Sequence, residues 1–219
     1  NLFPEMNYTP CLPYAHKYWS KLSEQGAWKL IKDTVFRNSI IDVVPSSFAL
    51  LFGNSRVMIK MLLEIETLMC KGLRIKGIFL QNLAFDFLLS MEMYRVIESF
   101  YDIVQNRLGR IPGFITMNHE KAVNVLCSEI GLVQPWICAN YNISGFRMHA
   151  SKEKCESSFA SCRSNNIAMS VMNSGNCRPA QSLEYVISKM NEGHINSILF
   201  GSSNSRNIKS NVKSIYASY

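Results

Sequence analysis

The chain has 219 residues, 47% of them hydrophobic, and a formal net charge of +7. A chain of this length buries roughly 70% of the surface that it exposes when unfolded, so we expect a single domain over residues 1–219 with a sizeable core. Because no apolar run approaches the about 20 residues of a membrane helix and the 23 Lys and Arg residues form no basic block, the composition argues against a membrane span and against a nucleic-acid partner.

The seven cysteines are scattered through apolar or helical segments without a CxxC pair. An odd number of cysteines without metal-ligand spacing is typical of a reduced protein, so we predict a cytoplasmic location and no metal site. Cys155 and Cys162 are seven residues apart and are expected on one helix. That spacing separates them by about two turns, which is too far for a disulfide.

The first 38 residues are expected to form a helical lead-in, with helices at residues 13–25 and 27–36. From residue 39 onward, short apolar runs rich in β-forming residues alternate with segments of helical periodicity. This pattern is typical of successive βαβ units and of a mainly parallel sheet. Six strands are predicted, at residues 39–45, 74–81, 111–118, 134–140, 166–172 and 196–201.

The segments between the predicted strands carry apolar side chains at helical spacing. Gly72 and Gly109 are well placed to end the first two of these helices, and Asn204 is expected to cap the last one. The predicted helices are at residues 55–70, 91–108, 120–130 and 180–190, and after residue 204.

Six strands in this order do not close an eight-stranded barrel. We predict an α/β fold of the (β/α)8 TIM-barrel type that lacks one or two N-terminal strands, with residues 39–219 forming six βα units. The alternative is an open, doubly wound parallel sheet. Unpaired strand edges at such a gap would favour association, so a homo-oligomer is expected with this arrangement.

Polar residues are frequent where the predicted strands end, and active sites of barrels lie at the carboxyl ends of the strands. Amides donate and accept hydrogen bonds without titrating, which suits the orientation of a carboxamide, sugar or carbonyl. Each such residue can instead cap a helix or a turn. The candidate substrate-binding residues are Gln81, Asn82, Asn140, Tyr141 and Asn173.

Three titratable residues at the same strand ends are candidate catalytic groups. They are Asp42 on the first predicted strand, and His119 with its neighbour Glu120 after the third. A histidine can act as a general acid or base, whereas Glu120 can also stabilise the first turn of a helix through the helix dipole. His149, with Arg147 in the loop after the fourth predicted strand, could bring a cation to this edge; a surface loop is the alternative.

The last strand–helix unit predicts a phosphate-binding site. Gly201, Ser202 and Ser203 follow the strand and precede a helix, whose first backbone N–H groups are free to bind an anion. Barrels often bind phosphate at the loops after strands seven and eight. Arg206 and Lys209 would add positive charge one turn into the helix. A helix that is only capped is the alternative.

Four short motifs in the second half occur in a recognisable order. They are Ile-Thr-Met-Asn at residues 115–118, Tyr-Asn at 141–142, Ala-Met-Ser at 168–170, and Gly-Ser-Ser at 201–203 with Ile208 and Asn211 beyond it. In order and spacing they resemble the strand ends of the aldo-keto reductases over residues 111–212. The resemblance implies a nicotinamide dinucleotide, NADP or NAD, in the barrel mouth, with Asn118 at its carboxamide. The cofactor-binding residues would be Asn118, Ser170, Gly201, Ser202, Ser203, Arg206 and Asn211.

The chain also departs from that family. Met169 stands where an aromatic residue usually stacks on the nicotinamide, Cys138 where a glutamine is usual, and Asn207 where an arginine meets a 2′-phosphate. No counterpart of the family's tyrosine acid is found, so the family's mechanism of carbonyl reduction lacks its proton donor. We expect a divergent nicotinamide-dependent oxidoreductase. The alternatives are a lyase or isomerase acting on a phosphorylated small molecule, and a barrel that binds a ligand without turnover; in each case the partner is an anionic small molecule.

Overall fold

The structure is a computed structural model that describes residues 8–13, 55–68, 70 and 72–217. The predicted strand at residues 39–45, with Asp42, and residues 14–36 of the predicted lead-in lie outside this description. The chain divides into two compact units, one of Asn1–Ala84 with Met93–Pro112 and one of Phe85–Glu92 with Gly113–Tyr219. The single domain expected from the sequence stays a prediction.

The first unit contains two paired parallel strands, β1 (Cys11–Leu12) and β2 (Gly77–Leu80). Strand β3 (Ile111–Thr116) begins in this unit, where its first residue donates its backbone N–H to Lys76 O at 3.1 Å. A β-carbon at Gly77 would lie 3.0 Å from the carbonyl oxygen of Ile111, the first residue of β3. Because the nearest atom belongs to a backbone and cannot rotate away, a side chain at this position would push the two strands apart slightly, and glycine avoids that crowding.

Helices α1 (Ser55–Leu68) and α3 (Tyr94–Asp102) belong to the first unit, and α3 continues as a π-helical segment at Ile103–Arg107. An exposed ion pair of 3.0 Å joins Arg56 to Asp102, but exposed pairs of this kind contribute little stability. Apolar burial is therefore the larger stabilising term, at about 1.5–3 kcal/mol for each large side chain. The buried side chains of these helices include Leu63, Ile97, Phe100, Ile103 and Val104.

The second unit is built on parallel strands in chain order, β3 next to β4, β4 next to β5 and β5 next to β6. The bounds are β4 Trp136–Asn140, β5 Asn165–Met169 and β6 Ser197–Ile198. The helices are α4 His119–Val123, which continues as a π-helical segment at Asn124–Glu129, α5 Lys152–Ala160, α6 Pro179–Asn191 and α7 Ser205–Ala217. Helix α2 (Asn82–Ser90) begins in the first unit and ends in the second.

The core of the second unit lies between its strands and helices α5 and α6. The residues of β3 after its first position and of β4 after its first position are all buried, as expected for parallel strands covered on both faces. Phe85 of α2 packs on Phe114 of β3 with ring centroids 4.7 Å apart. The main cluster includes Ala139, Tyr141, Met148, Cys155, Phe159, Ala168, Leu183, Val186, Ile187 and Ile195.

The five strands predicted from residue 74 onward correspond to β2 to β6, and each is shorter than predicted. The helices predicted after residues 55, 91, 120, 180 and 204 are also present. Strand β1 is not predicted, because two residues are too few to show a period of two. Helix α2 is not predicted either, because its apolar run follows β2 without a turn signal.

The placement of Cys162 on a helix with Cys155 is wrong. Helix α5 ends at Ala160, and Cys162 lies beyond it with a φ of 51°. Cys155 is buried and Cys162 exposed, and all seven cysteines are free thiols. Among the helices that the structure describes, none has both the length and the apolar character needed to cross a membrane.

The Gly77 contact gives a first testable prediction. We expect Gly77→Ala to lower the free energy of unfolding by about 1–3 kcal/mol, because the added methyl group crowds a strand backbone. Gly201→Ala is the matched control, since a β-carbon there has no atom within 4 Å, and its urea midpoint should stay at that of the parent chain. Equal midpoints for the two variants would contradict the close approach.

Candidate functional site

The side chain of His119 is held in a buried hydrogen-bond network. The amide nitrogen of Asn166 donates to two backbone oxygens, Phe159 O at 3.1 Å and His194 O at 2.9 Å, so the amide oxygen faces the histidine. Nε2 of His119 therefore donates to that oxygen at 2.9 Å, and Nδ1 accepts from Ser158 Oγ at 2.8 Å. The imidazole also stacks on Phe159, with centroids 3.9 Å apart.

This environment keeps His119 neutral. Burial lowers the pKa of His119 to about 4, although the hydrogen bond to Asn166 favours the protonated ring. Both ring nitrogens are used within the protein, so the geometry gives His119 a structural role and offers no free nitrogen for proton transfer. Glu120 is exposed and lines a shallow surface groove with Lys154 and Arg163.

A cleft of 830 Å³ opens where β5 and β6 end and α7 begins. We call it the serine cleft, because five serines contribute to its wall. Five of the seven predicted cofactor-binding residues line it, and none of the described lining residues is charged. The lining includes Ser170, Gly201, Ser202, Ser203 and Asn211 of the prediction, together with Ser174, Cys177, Leu199, Phe200, Asn207 and Ser210.

The loop before α7 is ordered by local hydrogen bonds. Asn204 accepts the backbone N–H of Arg206 at 2.9 Å, which confirms the predicted cap, and Ser202 Oγ accepts the N–H of Asn204 at 3.1 Å. These bonds hold the start of α7 against the serine cleft. The positive end of the helix dipole therefore lies beside neutral hydroxyl and amide donors, an arrangement that suits an anion.

A second, smaller pocket of 230 Å³ is lined by Asp86, Leu89, Ser90, Met117, Asn118, Lys121 and His149. We call it the Asp86 pocket. The Asp86 carboxylate is fixed from β3: Oδ1 accepts the Thr116 hydroxyl at 2.5 Å and Oδ2 accepts the Met117 N–H at 3.0 Å. Thr116 Oγ1 in turn accepts the N–H of Asn118 at 2.9 Å. This chain of bonds presents one oriented carboxylate to the pocket.

Asn118 has a local structural role in the same pocket. Its side-chain oxygen accepts the N–H of Lys121 at 3.1 Å and so caps α4. The residue predicted to hold a nicotinamide carboxamide therefore lines the Asp86 pocket and not the serine cleft. Arg206 also lies outside the residues that line the serine cleft.

The predicted substrate-binding residues do not converge. Asn140 is buried, and its amide donates to Arg147 O at 3.0 Å and to Met117 Sδ at 3.2 Å. Tyr141 is fully buried in the core, where burial raises its pKa to about 12. Asn173 lies outside both linings.

The remaining two predicted substrate-binding residues belong to the first unit. Gln81 directly follows β2, and its backbone N–H donates to Leu12 O at 2.6 Å. Asn82 is the first residue of α2.

Asp86 and Lys121 are the residues that sequence reasoning misses. Asp86 is the only charged residue in α2, whose other members are mostly apolar. An isolated carboxylate in an apolar helix signals a specific partner, because burying it without one is costly. Lys121 lies three residues after the Asn118 cap, and from the sequence alone it does not differ from an ordinary surface lysine.

No protein-family model matches the sequence, and no curated protein is significantly similar to it. The structure is similar to two solved structures, both described as a candidate aldo-keto reductase from Pseudomonas aeruginosa, with TM-scores of 0.52 and 0.55 at 14% sequence identity. Each match covers 74% of this chain, and the chain spans 60% of the length of the matched protein. The likeness shows a parallel α/β fold of the type of these barrels with some strands lacking, which confirms the predicted fold class. A likeness at this identity establishes the fold and not the activity.

The His119 network predicts a pH dependence of stability. The unfolded histidine binds a proton near its ordinary pKa of about 6.5, whereas the folded one does so near pH 4. The contribution of His119 to the free energy of unfolding is therefore constant above pH 6.5. It falls by roughly 3 kcal/mol in total as the pH drops to 4. In His119→Gln this component should disappear, so the unfolding free energy should fall less steeply over that range.

His149→Gln is the matched control, because His149 is exposed and its removal should leave the slope unchanged. Chemical denaturation at several pH values measures both variants. A parent chain and His119→Gln with identical slopes would show that His119 is not held neutral by the fold.

Proposed function

We propose that the serine cleft binds the phosphate groups of a nicotinamide dinucleotide and that the protein is a nicotinamide-dependent oxidoreductase. The observation that carries the proposal is the meeting of Ser170, Gly201, Ser202, Ser203 and Asn211 in one cleft. Their positions along the chain are those at which the sequence resembles the aldo-keto reductases. The fold likeness supports the same family independently of these motifs, because the backbones are similar at only 14% sequence identity.

The residues of the serine cleft suit the phosphate end of such a cofactor. Hydroxyl groups and backbone N–H groups donate hydrogen bonds to phosphate oxygens, and the described lining carries no carboxylate that would repel them. Arg206 and Lys209 on α7 add positive potential near the cleft without lining it. A volume of 830 Å³ falls in the range of pockets that enclose a cofactor-sized ligand.

When bound, a nicotinamide dinucleotide supplies or accepts a hydride. The protein must then hold the reacting carbonyl and supply a proton. Within the described lining of the serine cleft, no tyrosine, histidine, lysine or carboxylate is available for that proton. This observation favours a second candidate function, in which the barrel binds a dinucleotide or another phosphorylated small molecule without turnover.

A charge placed in the serine cleft tests the proposal. Ser210 lines the cleft, and Ser214 is on the same exposed helix α7, one turn beyond it. We expect Ser210→Glu to weaken NADPH binding by about tenfold, because a carboxylate a few ångströms from a phosphate costs roughly 1–4 kcal/mol near a protein surface. Ser214→Glu carries the same change in net charge and should bind NADPH as the parent chain does.

Calorimetric titration with NADPH, NADH and a sugar phosphate measures both variants. NADPH or NADH binding that only Ser210→Glu weakens is the expected result. Binding of the sugar phosphate without binding of either dinucleotide would contradict the cofactor assignment and leave the cleft as a phosphate site. With NADPH bound, consumption of reduced nicotinamide in the presence of a panel of carbonyl compounds then separates the oxidoreductase from the non-catalytic barrel.

A further inference from the structure

The Asp86 pocket holds two opposite charges that do not pair with each other. Asp86 and Lys121 both line it. Among the residues that the structure describes, neither group forms an ion pair. Two unpaired opposite charges around one concave space can be bridged by a ligand that carries complementary groups at both ends.

The carboxylate of Asp86 has acceptor capacity left for such a ligand. Thr116 donates to one of its oxygens and the Met117 N–H to the other. An ionised carboxylate offers about four acceptor positions, so each oxygen can accept a further hydrogen. The two protein donors also fix the orientation of the carboxylate, which lowers the entropy cost of binding.

The pocket also has residues that attract an anion. Lys121 is exposed, and its ammonium group has three donors. His149 is also exposed and lines the same space, so its ring can add a hydrogen-bond donor. Leu89 and Met117 also line the pocket, and their apolar atoms cannot hydrogen-bond a second anionic group.

The volume limits the ligand to a small molecule. At about 30 Å³ for each water molecule in the liquid, 230 Å³ corresponds to roughly seven or eight waters or to a compound of similar size. We propose that the Asp86 pocket binds a small hydroxycarboxylate, whose carboxylate is held by Lys121 and His149 and whose hydroxyl donates to Asp86. This inference does not depend on the proposed function, because it uses none of the residues of the serine cleft.

Titrations with glycerate, acetate and glycerol test the carboxylate contact and the hydroxyl contact separately. Acetate lacks the hydroxyl, and glycerol lacks the carboxylate. In a titration of the isotope-labelled full chain followed by NMR, we expect glycerate to shift the resonances of Met117, Asn118 and His149. Acetate should bind about fivefold or more weakly, because one charge-assisted hydrogen bond is lost, and glycerol should leave these resonances unchanged.

Two lysine variants test the location of the site. Lys121→Gln should weaken glycerate binding by about tenfold or more, because the principal cation is lost. Lys154→Gln is the matched control, since Lys154 is an exposed lysine of α5 that does not line the pocket. Asp86→Asn should abolish the preference for glycerate over acetate; if that variant does not fold, the comparison of glycerate with acetate on the parent chain carries the same test.

Three results would overturn the proposal. The first is the absence of any shift with glycerate at high concentration. The second is equal weakening in Lys121→Gln and Lys154→Gln, which would indicate attraction by net charge alone. The third is equal affinity for glycerate and acetate, which would remove the role of Asp86. Because no dinucleotide is added, none of these results bears on the serine cleft.

Discussion

The buried side chain of Asn166 is the interaction on which the second unit depends. Its amide donates to Phe159 O and His194 O, and its oxygen accepts from His119. Its backbone N–H donates to the side chain of Asn196 at 2.7 Å. One residue of β5 thus joins α4, the end of α5 and the segment before β6. A buried amide with all its partners is stable, but it leaves costly unpaired groups when any partner is removed.

Both candidate sites follow from this arrangement. The bond to His119 fixes the first turn of α4, and with it Asn118 and Lys121 at the Asp86 pocket. The bonds to Asn196 hold the approach to β6 against β5, and the serine cleft opens where these two strands end. His119 therefore holds neighbouring residues of the fold in place, and burial keeps its own ring neutral inside the protein.

The residues of the serine cleft can be predicted from the sequence more readily than those of the Asp86 pocket, for a physical reason. Gly201, Ser202 and Ser203 are contiguous and stand between a strand and a helix, so local signals suffice to predict that they line a cleft together. The Asp86 pocket is assembled from α2, the β3–α4 turn and the loop that holds His149. Nothing local relates these three segments, because their meeting is set by tertiary packing.

The burial of His119 illustrates the same limit. Neighbouring positions in the first turn of a helix point to different sides, so His119 is buried while Glu120 is exposed. The sequence indicates a helix start there but not which side faces the core. The strands from residue 74 onward, in contrast, can be predicted from the sequence, because each apolar run is long enough to show its β character. The two residues of β1 are too few to do so.

The proposed activity depends on the binding of an anion at the serine cleft. The most direct measurement is a crystal structure of the chain grown or soaked with NADP. We expect phosphate density within hydrogen-bond distance of the Ser202 or Ser203 hydroxyl and beside the start of α7. A well-ordered dinucleotide bound elsewhere, or a serine cleft that stays free of it at a saturating concentration, would contradict phosphate binding at this cleft.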